Sequence, residues 1–517
     1  MYGLGLYEPN VRAGAMKKVK NVVWILTDSQ HSEAVGYMGN NAVHTPNLDK
    51  LAAKSKIFSN AYCQSPICVP SRESFITGRY PSDLGVLHNK HDHASTAETL
   101  GHKFQQAGFK TCFSGKSHFI ADNLLFSDHD MNRGFERYAD WDDYLHYLRN
   151  KGFFSEIDKS KVKENCYQGD PRDMQEIEGA AIRCYSVYAQ EHDGHLADEF
   201  SVEHCAYERA RDWLDKNHAD PFFLFYSLYR PHAPLVVPED VERPCVDNLP
   251  PLEWNEQDLA STPSLRQRIA FMNNNQDNAY NTGLDIARAY AADPELSREP
   301  GRTKEVNSYN KFRLDYFRSI NYVDRYVGKM IDKLTALGRA EDTMIIFTSD
   351  HGDMIGEHGL NLKMCFYDAA IKVPLLIHVP GEWDRGERED RPVMLLDLVP
   401  TVAAQFGIEI KEDLAGIDLR SGTYDYARPV YSEIVTSFGA EVAQYGFENH
   451  VRMVKTDKWK YLSKAFGHHE LYDMVEDPEE NNNFGDNPAY GEICAELKNI
   501  IDQNIGQYTV ENVRVVE

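Results

Sequence analysis

Cys68-Val69-Pro70-Ser71-Arg72, followed by Thr77-Gly78-Arg79, is the stretch from which the rest of the chain can be read. A small nucleophilic side chain, a proline and an arginine open what reads as a helix, with Ser71 placed to cap it. The helix start and Arg72 would set the thiol in a positive field, which suits an anion. A cysteine taken alone is more often a small buried hydrophobe, and this chain has nine of them. What surrounds Cys68 decides between the two.

Outward from this stretch, polar clusters recur at the ends of apolar, β-forming runs. Residues 21–26 read as a buried parallel strand that delivers Asp28 at its carboxyl end. A helix over 47–55, with Thr45 as cap and Pro46 at its first position, and a strand over 57–62 lead to Cys68. Beyond it, a helix over 97–106 closed by Gly108 and a strand over 110–114 present Lys116 and His118. A helix over 198–217 and a strand over 221–228 lead to Tyr229-Arg230-Pro231-His232. A helix over 310–337 and a strand over 343–348 lead to Asp350-His351. A further strand over 372–379 and a helix over 395–406 closed by Gly407 follow. Open α/β sheets bind ligands at such carboxyl ends.

The expected organisation is a catalytic α/β domain over 17–426, a large mixed sheet sandwiched by helices. A smaller antiparallel α+β subdomain over 427–517 carries short strands and a final helix over 490–501. Residues 479–483 read as a short polar turn. Two irregular stretches, 119–196 and 235–306, read as insertions walling a cleft, with Trp141 and Trp254 available to stack on a sugar face.

Lys plus Arg total 55 against 80 for Asp plus Glu, a net charge of −25, which excludes nucleic acid and anionic membranes as partners. The cysteines are scattered, without a C-x-x-C pair, and read as reduced thiols. Residues 1–15 lack an apolar signal core, and the apolar runs 22–26 and 222–229 are too short to span a bilayer. The expectation is a cytoplasmic protein, or a periplasmic one if the sequence is the mature form of an exported chain.

C-x-P-S-R followed by T-G-R resembles the signature of the type I, formylglycine-dependent sulfatases of the alkaline phosphatase superfamily. Further motifs of that family stand in order. They are Thr27-Asp28, Gly115-Lys116-Ser117-His118, Arg230-Pro231-His232, Asp350-His351-Gly352, Lys363, and Leu471-Tyr472-Asp473 with Asp477-Pro478-Glu479. The resemblance implies hydrolysis of a sulfate ester. It also implies that a formylglycine-generating enzyme oxidises Cys68 to Cα-formylglycine, whose hydrate attacks sulfur and later collapses to release sulfate. On the same basis Arg72 would hold the diol and sulfate oxygens, and Lys116 and Lys363 would clamp the sulfate. His118 would assist collapse, His232 would protonate the leaving group, and Asn89 would reach the scissile group. Lys363 precedes Asp368 and Val373-Pro374, where the family more often has Glu at the middle position.

The implied metal ligands are Asp28, Asp350, His351, the side chain derived from Cys68, and one more oxygen near Asp28. Ser29 stands where many members have a second Asp, and Gln30 is favoured over Ser29 to fill that place. One divalent ion is expected; oxygen ligands favour Ca²⁺, and the imidazole moves the balance toward Mn²⁺.

Two readings share this framework. A sulfatase acting on a small or saccharide sulfate ester is favoured by Lys116 and His118. A phosphonate monoester or phosphodiester hydrolase of the same superfamily is the alternative, suggested by Gln30, His351 and the Tyr229 to His232 motif. A catalytically silent binding protein would need a broken motif, and none of the matched positions is missing. The state of assembly is left open, a homo-oligomer included.

Overall fold

The computed structural model describes residues 19–89, 95–119, 132–139, 141–157, 188–189, 191–192, 195–251, 308–421, 428–435, 450–465 and 468–505. The central strand, β1 (Asn21–Asp28), is buried along its whole length, as expected of a strand covered on both faces. Its alternating side chains feed two cores. Val22, Trp24 and Leu26 face one, and Val23 and Ile25 face the other.

Around β1 stand α1 (Pro46–Ala52), β2 (Lys56–Tyr62), α2 (Cys68–Thr77), α3 (Leu100–Gln106), β3 (Lys110–Gly115), β4 (Arg137–Ala139), α4 (Trp141–Asn150), α5 (Val202–Asn217), β5 (Phe222–Pro231), α6 (Ser308–Ala336), β6 (Thr343–Ser349), β7 (Lys372–His378), β8 (Arg388–Glu389), β9 (Val393–Met394) and α7 (Leu398–Phe406). The described strands of the large sheet run in the order β8-β2-β7-β6-β1-β5-β3-β4, with β9 also on β2. Strands β6, β1, β5, β3 and β4 are mutually parallel, whereas β7 lies antiparallel to β2 and β6, so the sheet is mixed as expected. Helices α2 and α7 cover one face and α5 and α6 the other.

The helix carrying Cys68 starts earlier than expected. Ile67 precedes its first residue, Cys68, and Ser71 lies inside it, where its hydroxyl donates to the carbonyl of Asp350 instead of capping. Pro70 is tolerated because it sits in the first turn, where its missing N–H costs no helical hydrogen bond. Thr45 likewise precedes its helix without capping it; its hydroxyl accepts from Gly36 N–H and donates to Asp49. Trp24 contacts Phe75 of α2 and Phe225 of β5 at ring distances of 5.6 and 5.3 Å, which fixes α2 on the sheet. β5 runs three residues beyond its expected end, so Tyr229 and Arg230 are strand residues.

The C-terminal part forms an all-antiparallel sheet of β10 (Val430–Val435), β11 (His450–Lys455), β12 (Trp459–Ala465) and β13 (His468–Asp473), with α8 (Gly491–Asn504) packed against it. Strand β10 was not foreseen as a separate element. The apolar side chains of this sheet join the same core as Trp24 and Phe75. Among the described residues the cysteines are unbridged, and no helix is long and apolar enough to cross a membrane. The insertions expected over 119–196 and 235–306 lie mostly outside the described residues, as do Trp254 and the side chain of Trp141.

The polar turn at 479–483 is only partly solvated. Glu480, 4% exposed, accepts from Lys460 at 2.7 Å, and Lys460, fully buried, also reaches Asp368 and the carbonyl of Phe366. Lys460→Met would leave the buried Glu480 carboxylate without its cation, while partly exposed Asp368 keeps Lys455, at a cost of about 3–5 kcal/mol. The denaturant midpoint should fall accordingly; an unchanged midpoint would show that the cluster does not hold the two sheets together.

Candidate active site

The carboxyl ends of β1, β3, β5 and β6 lie side by side, and each delivers part of one buried cluster. Asp28 ends β1. Lys116 follows β3, His232 follows β5, and Asp350 and His351 follow β6. Helix α2 brings Cys68 and Arg72 down onto them. Arg72 is fully buried, donating from Nε to Asp350 at 2.9 Å and from one terminal nitrogen to Asp28 at 2.8 Å. Its other terminal nitrogen donates to the carbonyl of Lys116 at 2.8 Å and to the Ser227 hydroxyl at 3.2 Å.

Two local features bring the elements this close. Gly115 has φ of 111°, and a Cβ there would lie 1.8 Å from the carbonyl oxygen of Ser227. Only glycine lets β3 end against β5 with Lys116 next in line. Ser29 lies in the left-handed region at φ 64°, a conformation a non-glycine residue holds only where its surroundings insist. Its N–H donates to Asp350 at 3.0 Å, its carbonyl accepts from Tyr316 at 2.6 Å, and its hydroxyl donates to Asp28 and accepts from Lys363. The Tyr316 hydroxyl also accepts the N–H of His31 at 2.8 Å, so α6 clamps this turn. Tyr316 was not singled out in the sequence because it sits at core spacing in a long helix.

Cys68 Sγ lies 3.2 Å from His351 Nε2 and 3.3 Å from Lys363 Nζ. In a converted enzyme an oxygen would stand where this sulfur is. His351 Nδ1 donates to the carbonyl of Gly352 at 2.7 Å, which turns Nε2 toward Cys68. Lys116 Nζ contacts Asp28 at 2.7 Å, and His232 Nε2 is 3.9 Å from the other Asp28 oxygen. His118, 4% exposed, lies at φ 48° just past Lys116. Asn89 accepts the N–H of Val69 at 2.9 Å, so its carbonyl oxygen serves the first turn of α2. The neighbouring residues His91, Asp92 and His93 lie outside the described residues.

The electrostatics follow from burial and crowding. Burial raises the Asp28 carboxyl, but Lys116, His232, Lys363 and Arg72 outweigh it and hold Asp28 well below the usual range. Burial and the charge on Asp28 push Asp350 up. Burial and then Asp28 raise the Cys68 thiol, yet Lys363, Lys116 and His351 bring it well below that of a free cysteine. Burial, Lys363 and Lys116 push His232 down to about 3, with Asp28 and Cys68 acting against them.

The residues present suit a divalent cation. One ligand atom each from Asp28, Cys68, Asp350 and His351 lies within 4.8 Å of all the others. Gln30, on the same turn as Asp28, is fully buried with neither amide atom hydrogen bonded, whereas the Ser29 hydroxyl is already engaged.

The sulfatase family profile matches residues 20–408, and that of the N-sulphoglucosamine sulphohydrolase C-terminal region matches 356–507. The chain belongs to the sulfatase family. Its relatives there are sulfuric ester hydrolases, and this chain is an enzyme of that kind. It is 29% identical to choline-sulfatase of Rhizobium meliloti (strain 1021), over 90% of this chain and 83% of that one. It is 24% identical to N-acetylglucosamine-6-O-sulfatase of Bacteroides thetaiotaomicron, over 95% and 87%. In fold this sulfatase resembles the phosphonate monoester hydrolase of Agrobacterium radiobacter, with a TM-score of 0.70 at 20% identity over 95% and 96%. A 2-O GAG sulfatase matches with a TM-score of 0.67 at 21% identity over 96% and 93%.

Because Arg72 bridges two carboxylates from different strands, a lysine cannot replace its planar fork. Arg72→Lys should lower kcat/KM on an aryl sulfate by about 100-fold or more, with secondary structure retained by circular dichroism. A variant within a few-fold of wild type would refute the bridging role.

Proposed function

We propose that this sulfatase hydrolyses a carbohydrate sulfate monoester, using a formylglycine made from Cys68 and one divalent metal ion. The observation that carries this reading is the setting of Cys68. It stands at the first position of α2, within hydrogen-bond reach of Lys363 and His351, while Lys116 and Arg72 grip the carboxylates beside it. Such a pocket is built for a nucleophile attacking a small anion.

Asp28, Asp350, His351, Gln30 and the residue-68 side chain would hold the metal, with Gln30 preferred to Ser29 because its buried amide is unpartnered. When bound, the metal supplies Lewis acidity toward the sulfate oxygens, and the oxidised residue 68 supplies the attacking oxygen. Lys116 and Lys363 hold the anionic oxygens in place. Arg72 keeps the carboxylates and α2 in register. His232 moves a proton at Nε2 toward the leaving oxygen, and His118 lies on the Lys116 side to serve residue 68 in the later step. Asn89 steadies the first turn beneath the nucleophile. The saccharide assignment draws support from the relative named N-acetylglucosamine-6-O-sulfatase and from the match to the N-sulphoglucosamine sulphohydrolase C-terminal region.

The likeness to a phosphonate monoester hydrolase keeps that activity as the competing reading. One purified preparation should be assayed on sulfated mono- and oligosaccharides, choline sulfate, an aryl sulfate and an aryl phosphonate. Saccharide sulfates are expected to give the highest kcat/KM; inert saccharides with the phosphonate turned over fastest would replace this reading by the other. Mass spectrometry of the peptide bearing Cys68 should show the sulfur lost, and an unmodified thiol in fully active enzyme would exclude formylglycine. Chelation should remove activity and added Ca²⁺ or Mn²⁺ restore it.

A further inference from the structure

Tyr229, 2% exposed near the end of β5, touches two of the groups that handle the sulfate ester. Its ring lies under Lys116, with Nζ 4.8 Å from the centroid. Its hydroxyl is 2.9 Å from His232 Nδ1 and donates to the carbonyl of Ala233 at 2.7 Å. His232 Nδ1 is also 2.7 Å from that carbonyl. A carbonyl only accepts, so Nδ1 carries a hydrogen. The phenol proton goes to the same carbonyl, which leaves the phenol oxygen to accept from Nδ1–H. The proton that can come and go is thereby confined to Nε2, the nitrogen facing Asp28. The turn itself is anchored from behind. Buried Glu203 pairs with the Arg230 guanidinium and accepts the Arg230 N–H at 3.0 Å, and Arg230 Nε donates to the Val236 carbonyl at 3.1 Å.

We propose that Tyr229 is a positioning residue that couples the sulfate clamp to the proton donor, holding Lys116 through its ring and the Nδ1–H form of His232 through its hydroxyl. This rests on the reading above, in which Lys116 binds the sulfate and His232 serves the leaving group. Nε2 takes up a proton from water as the anionic ester enters; the oxygen of residue 68, its own proton given up to water, bonds to sulfur, and as the ester S–O bond breaks the leaving oxygen takes the Nε2 proton and the imidazole returns to its neutral Nδ1–H form. Nδ1–H stays on Tyr229 and Ala233 throughout. The two functions of one side chain are separable: Tyr229→Phe keeps the ring and loses the hydroxyl, whereas Tyr229→Leu loses both.

The test uses metal-loaded, converted enzyme and aryl sulfates graded in leaving-group acidity from 4-nitrophenyl to 4-methylphenyl. His232→Ala should lose most on the poorest leaving group; a loss equal across the series would show that His232 is not the proton donor and would remove the basis of the proposal. Given a graded His232→Ala loss, Tyr229→Phe should show a loss of about tenfold more on 4-methylphenyl than on 4-nitrophenyl sulfate, within what proton transfer contributes. It should add nothing further in the His232→Ala background. Tyr229→Leu should in addition raise KM across the series by about tenfold through Lys116. A Tyr229→Phe loss that ignores the leaving group, or that adds fully to His232→Ala, overturns the coupling. The unmutated enzyme provides a check independent of folding: ¹⁵N NMR of the imidazole should find neutral His232 protonated at Nδ1, and an Nε2–H tautomer overturns the proposal.

Discussion

The buried guanidinium of Arg72, held between Asp28 and Asp350, is the contact on which the rest of the site depends. A guanidinium taken out of water is costly unless it is well paired, and here carboxylates, two carbonyls and a hydroxyl from four segments reach all three of its nitrogens. The partners come from the ends of β1, β3 and β6 and from the middle of β5. The charge therefore fixes how four strands meet one helix, and a shift of any of them leaves a buried donor unmet. Such an arrangement secures geometry more than stability. The burden of stability falls on the apolar packing of Trp24, Phe75 and Phe225 directly beneath.

Much of this was legible in the sequence because the period of the pattern reports burial. The continuous apolar runs ending in Asp28, Lys116, His232 and Asp350 are what strands covered on both faces require, and the sheet places their ends together. The start of α2 was misread because Ser71 is a good cap by type, while its hydroxyl is taken by a carbonyl more than 270 residues away. The roles of Tyr229 and Tyr316 were hidden for a related reason. A buried tyrosine looks like core until the partner of its hydroxyl is known, and those partners come from the tertiary fold. Strand β10 is a six-residue run, Val430–Val435, buried on both faces although Ser432 and Glu433 interrupt its apolar pattern, so periodicity alone gave little to separate it from loop.

The C-terminal sheet bears on the chemistry through Lys363. The segment between β6 and β7 that carries this lysine is held at several points. Gly352 packs where a Cβ would lie 2.0 Å from the carbonyl of Ala369, and Met364 N–H donates to Pro66, just before α2. Lys460 of β12 holds the Phe366 carbonyl and Asp368, and Glu480 accepts the Asp368 N–H at 2.7 Å. The motif containing Asp477 and Glu479 is thus tied to the active site by the buried neighbour it places, Glu480, whose φ of 60° marks a turn held for that contact.

Charge completes the account. The chain carries a net charge of −25, so at long range it repels the anion it is built to bind. Salt screens that field over about 8–10 Å, while the pocket acts at 3–4 Å and at low dielectric. Arg72, Lys116 and Lys363 stand there against Asp28 and Asp350 at contact distance. Attraction is therefore local and short-ranged, felt by a sulfate group that has entered the pocket and not by a polyanion passing the surface.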